Sequence, residues 1–182
     1  MSLTPSRMLP LGTPVPDFSL PEPLTGNLHS PKNLRGARGL LIAFICNHCP
    51  YVKHIHDELA QVAGEALAQH IGVALISSND ATSYPADGPA AMVRQAASYP
   101  APYLYDETQA VAKAYQAACT PDFYLFNADL ALVYRGRFDG STPGNGVPVT
   151  GDELRAAIAA LAAGKPLADG QKPSVGCNIK WR

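Results

Sequence analysis

The stretch from Gly39 to Pro50, Gly-Leu-Leu-Ile-Ala-Phe-Ile-Cys-Asn-His-Cys-Pro, constrains this chain more than any other. A continuous apolar run of strand length, opened by a glycine, reads as a strand buried on both faces. It runs into Cys46-x-x-Cys49, and beyond it Val52, Ile55, Leu59, Val62 and Ala66 recur at the spacing of one helical stripe. Two cysteines therefore stand at a strand-to-helix turn. Unpaired backbone N–H groups and the positive end of the helix macrodipole gather there, and both favour a thiolate over a thiol. The thiolate is the nucleophile of sulfur chemistry, so this stretch predicts a dithiol/disulfide redox site.

The rest of the chain alternates strands and helices. Ile71–Ser77 predicts a second buried strand, parallel to the first. Tyr103–Tyr105 predicts a short one, and Phe123–Phe126 with Leu130–Arg135 a hairpin. Helices are expected after Asp87, which would cap one with Pro89 in its first turn, and after Asp106. A third is expected from Thr150, which forms a capping box with Glu153. Upstream, Asp17–Leu20 and Leu28–His29 predict a small hairpin, and Ser30 caps a turn through Leu34. Residues 1–16 hold four prolines and no periodicity, which predicts an extended arm. Residues 17–165 then form one domain, and 166–182 a tail packing on or near it. The order gives an α/β fold with a central mixed sheet, flanking helices and an N-terminal β-hairpin extension.

A chain of 182 residues buries about 70% of its unfolded surface and needs no disulfide for stability. A net charge of −1 offers no field for nucleic acid or an anionic membrane. The longest apolar run falls far short of the ~20 residues of a membrane span. The first ten residues lack the apolar core of a signal peptide. Four cysteines without a secretory signal point to a reducing compartment, the cytoplasm, where Cys-x-x-Cys is catalytic or metal-binding.

His48, between the cysteines, favours a thiolate when protonated and makes the disulfide a better oxidant. Zinc is the competing chemistry, since Cys46, His48, Cys49, His54 and His56 are all ligand types. His54 and His56 lie two apart on a helix and point to different sides, and the tight cluster lacks the usual second ligand pair. No metal is expected. Arg135 or Arg137 is a candidate to stabilise a thiolate, against the plainer reading as solvated arginines at a strand edge. The Gly140–Gly146 loop lacks the Lys-Ser/Thr ending of a phosphate loop.

The order of elements resembles the thioredoxin fold. Thr120-Pro121, just before the hairpin strand, matches the place where thioredoxin-like proteins carry a cis-proline facing the disulfide. Four segments, Cys46–His54, Ser77-Ser78-Asn79-Asp80, Cys119–Phe123 and Gly176–Trp181, together resemble a peroxiredoxin-like, thioredoxin-fold family. It belongs to the alkyl-hydroperoxide-reductase and thiol-specific-antioxidant group, and the likeness runs from about Val15 onward.

The resemblance implies a thiol-disulfide oxidoreductase of antioxidant type built on Cys46 and Cys49, with His48, Thr120 and Pro121 around them. It implies no organic cofactor, a protein or small-molecule disulfide or a peroxide as substrate, and an external thiol as reductant. By likeness to thioredoxins Cys46 attacks and Cys49 resolves. By the peroxiredoxin pattern Pro-x-x-x-Thr/Ser-x-x-Cys, Cys49 is peroxidatic, with Cys46 in place of the hydroxyl residue and Ile42 in place of the proline. A thiol peroxidase is therefore the alternative, and a non-enzymatic metal-binding or interaction domain the third reading. A helix capped at Cys49 with Pro50 first gives the dipole to Cys49; an earlier start gives it to Cys46. Cys119 either approaches the disulfide or packs as a small buried thiol. Cys177 either reaches back as a resolving thiol or is carried along while Trp181 pins the tail.

Overall fold

In a computed structural model that describes residues 3–182, the chain opens with β1 (Leu3–Pro5). A small hairpin of β2 (Leu20–Pro21) and β3 (Leu28–His29) and a single helical turn, α1 (Pro31–Leu34), follow. The core is then laid down as β4 (Gly39–Phe44), α2 (Pro50–Ala68) and β5 (Ile71–Ser77), a 3₁₀ turn (Pro85–Asp87), α3 (Pro89–Ala96), β6 (Tyr103–Tyr105) and α4 (Ala110–Ala114). Next come β7 (Cys119–Thr120), β8 (Asp122–Asn127), β9 (Leu132–Tyr134), α5 (Asp152–Ala162) and β10 (Val175–Asn178). Among the described residues no helix is long and apolar enough to cross a membrane.

β4 is the centre of a five-stranded mixed sheet, and all six of its residues are buried. β5 lies parallel to it: the Arg38 N–H donates to the His70 carbonyl at one end and the Ile45 N–H to the Ile76 carbonyl at the other. β6 continues in parallel on β5, while β8 pairs antiparallel with the opposite edge of β4 and β9 with β8. Side chains alternate across a strand. Leu41, Ala43 and Ile45 therefore face α2, α3 and α5, while Leu40, Ile42 and Phe44 meet Val111, Ala112, Tyr115 and Phe18. The expected α/β, thioredoxin-like architecture is present, and β4 is apolar throughout because both faces are covered.

A second, three-stranded sheet joins the two ends of the chain in the order β1-β10-β7, all antiparallel. No periodicity in the arm or the tail announces these strands. Cys177 pairs with Thr120 and Asn178 with Cys119. This approach depends on Gly176, because a Cβ built there would stand 2.0 Å from the Thr120 carbonyl oxygen. Backbone cannot yield as a flexible side chain can, so Gly176→Ala should push β10 off β7. We expect a loss of about 3 kcal/mol, at the upper end for overpacking, read by urea unfolding.

Three capping expectations are corrected. Asp87 does not cap α3; Gly88 does, without a side-chain bond, because the Asp87 carboxylate is turned inward. Thr150 and Glu153 form no capping box: α5 starts from Gly151 at φ 62°, and the Asp139 carboxylate accepts the Thr150 and Gly151 N–H groups, each at 2.7 Å. Glu153 is drawn away by Arg137. Asp106 stands three residues ahead of the α4 cap, Gln109, yet its carboxylate still accepts the Ala112 N–H at 2.9 Å.

Candidate redox site

β4 ends at Phe44 and the chain turns through Cys46, Asn47 and His48 before α2 begins. Cys49 is the N-cap residue, with Pro50 in the first helical position. Proline lacks the N–H that would be left over there, so the sequence favours this start over an earlier one. Both cysteines are buried, Cys46 1% exposed and Cys49 0%.

The Thr120–Pro121 peptide is cis. The Thr120 hydroxyl lies 3.6 Å from Cys46 Sγ, and Cys49 Sγ lies 3.3 Å from the Thr120 carbonyl oxygen. Because Cys177 is the cross-strand partner of Thr120, both project from the same face. Cys177 Sγ therefore comes within 2.9 Å of Cys49 Sγ. Cys119, one residue earlier on β7, points the other way, toward the carbonyls of Pro121 and Ser174. Burial pushes its thiol well above the usual range, and it packs as a small buried group.

Asp87 organises the turn. Its carboxylate accepts the Asn47 N–H at 2.8 Å, the His48 N–H at 3.1 Å and the Asn79 side-chain amide at 2.8 Å. His48 Nδ1 is 2.5 Å from the same carboxylate and 3.9 Å from Cys46 Sγ, so the close partner of His48 is Asp87 and not sulfur. Tyr84 stacks on His48, and the buried Tyr103 hydroxyl donates to the Asn47 side-chain carbonyl at 3.0 Å. The tail enters the same network: the Lys180 N–H donates to the Asn79 side-chain carbonyl at 2.8 Å, and the Asp80 N–H to the Lys180 carbonyl at 2.9 Å. Ile179, 1% exposed, pins this tail; Trp181, the anchor in one of the two readings of the tail, is 43% exposed.

The two cysteines titrate together. A hydrogen bond from Cys46 draws Cys49 down to about 4 against its burial, helped by Cys177, Thr120 and the Val52 N–H in the first turn of α2. Cys46 moves up, as the donor to Cys49, buried and facing the Asp87 charge. The reduced pair thus holds one proton, on Cys46, and one negative charge, on Cys49. Cys177 is pushed up to about 12, by burial first and then by its bond to Cys49.

Cys46 lines a cavity of about 320 Å³ together with Asn47, Val52, Lys53, His56, Gln95 and Tyr99. Pro121 lines a smaller one of about 60 Å³ that also holds His54 and Arg137. His54 and His56 thus look into different cavities, as their spacing predicts. Among the described residues, Cys46, His48 and Asp87 put ligand atoms within 4.8 Å of one another. His48 Nδ1, the nitrogen in that set, is taken up by Asp87 and has no lone pair to spare for a metal while it donates there. The candidate arginines are spent elsewhere: Arg137 on Glu153, Arg135 on the Leu9 carbonyl and Gln171.

Sequence reasoning missed Asp87, Asn79, Tyr84 and Tyr103 as parts of the site. Asn79 lay in a segment already singled out, but Asp87, just ahead of Pro89, read as the cap of the following helix.

Redoxin family features match residues 10–152. An uncharacterized conserved protein from Geobacillus kaustophilus is similar at 49% identity and a TM-score of 0.98, covering 100% of this chain and 97% of that one. A hypothetical protein from Sinorhizobium meliloti 1021 is similar at 46% identity and a TM-score of 0.95, covering 98% of each. A secreted disulfide oxidoreductase from Mycobacterium tuberculosis shares the fold at 19% identity and a TM-score of 0.59, covering 79% of this chain and 95% of that one. No curated protein matches. With its fold and more than half its length matched, the chain belongs to the Redoxin family.

Proposed function

We propose that the protein is a thiol-disulfide oxidoreductase whose redox couple is Cys46 and Cys49. The observation that carries this is the division of labour between the two sulfurs: Cys46 borders the cavity, while Cys49 lies behind it at the helix N-cap, where its negative charge is stabilised. A substrate thiolate entering the cavity attacks Cys46 Sγ of the oxidised pair. The Cys46–Cys49 bond breaks and Cys49 leaves as the thiolate. A second substrate thiolate then attacks its partner sulfur, forming the substrate disulfide and releasing Cys46, which takes up one proton. Run backwards, the same steps reduce a substrate disulfide at the expense of an external thiol. A leaving thiol of low pKa departs faster and makes the disulfide the stronger oxidant, so the stabilised Cys49 biases the couple toward oxidising its substrate.

Thiol mapping by alkylation and mass spectrometry across glutathione redox buffers tests this reading. A reversible Cys46–Cys49 disulfide with a defined midpoint is expected, and Cys46→Ser or Cys49→Ser should each abolish turnover of a dithiol peptide. Full turnover in either variant overturns the couple. The N-cap place of Cys49 also suits a peroxidatic thiolate. Sulfenic acid appearing on Cys49 of the wild-type protein ahead of any disulfide would make the protein a thiol peroxidase instead.

A further inference from the structure

Cys49 has two sulfur neighbours, and the second comes from the far end of the chain. Cys46 stands three residues back on the same turn. Cys177 is carried in on β10, its Sγ 2.9 Å from that of Cys49. A disulfide bond is ~2.05 Å long, so less than 1 Å of movement closes this pair.

The placement is built in from several directions. Register sets Cys177 against Thr120, whose hydroxyl and carbonyl touch the other two sulfurs. Gly176 permits β10 to come that close. Buried Ile179 and the bond from the Lys180 N–H to Asn79 hold the strand end in place. Cys177 is 2% exposed, so its sulfur is screened from reagents in bulk water but not from Cys49.

We infer that Cys177 is a second resolving thiol for Cys49, so that the oxidised protein carries its one disulfide either as Cys46–Cys49 or as Cys49–Cys177. This deepens the dithiol cycle proposed above and rests on it. The Cys177 thiol gives up its proton and its sulfur attacks Cys49 Sγ. The Cys49–Cys177 bond forms as the Cys46–Cys49 bond breaks, and the electron pair leaves on Cys46, which takes up the released proton. No electrons enter or leave the protein; the oxidation moves one sulfur inward. Cys46 is returned as a thiol at the cavity, while the disulfide is stored out of reach.

The test uses Cys46→Ser full-length protein treated with hydrogen peroxide, then alkylated in denaturant, digested without reduction and mapped by mass. Peroxide converts the Cys49 thiolate to a sulfenic acid, Cys177 displaces water from it, and a Cys49–Cys177 cross-linked peptide is expected in most molecules. In the Cys46→Ser, Cys177→Ser double variant the sulfenic acid should stay on Cys49, where dimedone traps it. Wild-type protein partly oxidised in glutathione buffers gives an independent reading, a fraction with Cys46 alkylated and Cys49 joined to Cys177. Sulfenic acid or unreacted thiol at Cys49 of the single variant, with Cys177 alkylated and no such wild-type fraction, overturns the inference. Wild-type protein forming Cys46–Cys49 in those buffers shows that the couple itself stands. If wild-type Cys46 and Cys49 both remain thiols throughout, the proposed couple has failed and the relay with it.

Discussion

Asp87→Ala is expected to cost the protein about 3–5 kcal/mol and to unfasten the turn that carries both cysteines. Four nitrogens converge on this one carboxylate: the backbone N–H groups of Asn47 and His48, the His48 ring and the Asn79 amide. The residue is completely buried, so alanine leaves those donors facing a space with no acceptor. Each orphaned buried donor costs about 1–3 kcal/mol, and water entering the vacated volume recovers only part of the sum. Asparagine is no remedy, because its amide would turn one N–H against another. The damage should spread to the tail, since Asn79 also accepts the Lys180 N–H. Urea unfolding gives the stability loss, and the alkylation rate of Cys46 reports the loosened turn. A loss below about 1 kcal/mol with unchanged Cys46 reactivity would show that Asp87 does not organise the site.

Asp87 also shows where sequence reading stops. The residues whose local pattern agrees with their tertiary role were legible: β4 is an unbroken apolar run because both its faces are covered, and α2 shows its buried stripe in Val52, Ile55, Leu59, Val62 and Ala66. That Cys46, His48 and Cys49 share one turn was legible from their spacing, and that Thr120-Pro121 meets them came from the likeness to thioredoxin-like proteins. Asp87 and Asp106 were read as ordinary caps, and Asp139 drew no reading at all. Their carboxylates instead satisfy backbone donors on segments distant in sequence or further along the chain. A short polar side chain in a turn looks the same whether it bonds its neighbour or reaches 40 residues back, and no periodicity separates the two. The same limit hid β1 and β10. Strands of three and four residues at the chain ends acquire their identity from the partner they meet, here Thr120, and from a glycine that lets them approach. Trp181, the largest apolar residue in the tail, drew the anchoring role in one of two readings, but Ile179, two residues earlier, is the one that faces inward.

The titration of the reduced pair is the sharpest consequence of this geometry. Cys49 is held near 4, whereas a thiol in an unfolded chain titrates near ~8.5. Its folded-state pKa is depressed, so the ionised sulfur contributes stability to the reduced protein that is fully present above about pH 8.5. That contribution falls away as the pH drops toward 4. Cys46 is shifted upward and keeps its proton throughout that window. Reduction of the disulfide therefore takes up two electrons and one proton, and the midpoint potential should move by about 30 mV per pH unit between pH 5 and 8. An unperturbed dithiol takes up two protons and moves at about twice that slope. Below about pH 4 Cys49 is protonated as well, and the slope should steepen. Glutathione equilibration at a series of pH values gives the slope, and the ultraviolet absorbance of the thiolate identifies the sulfur. Cys46→Ser should retain that absorbance, because a serine hydroxyl can still donate to Cys49, and Cys49→Ser should lose it. If the absorbance follows Cys46 instead, the negative charge sits at the cavity and Cys46 is the nucleophile that meets the substrate. A full two-proton slope across the whole range would mean that neither the helix terminus nor the thiols of Cys46 and Cys177 stabilise charge on Cys49, and the bias toward oxidation would lose its cause.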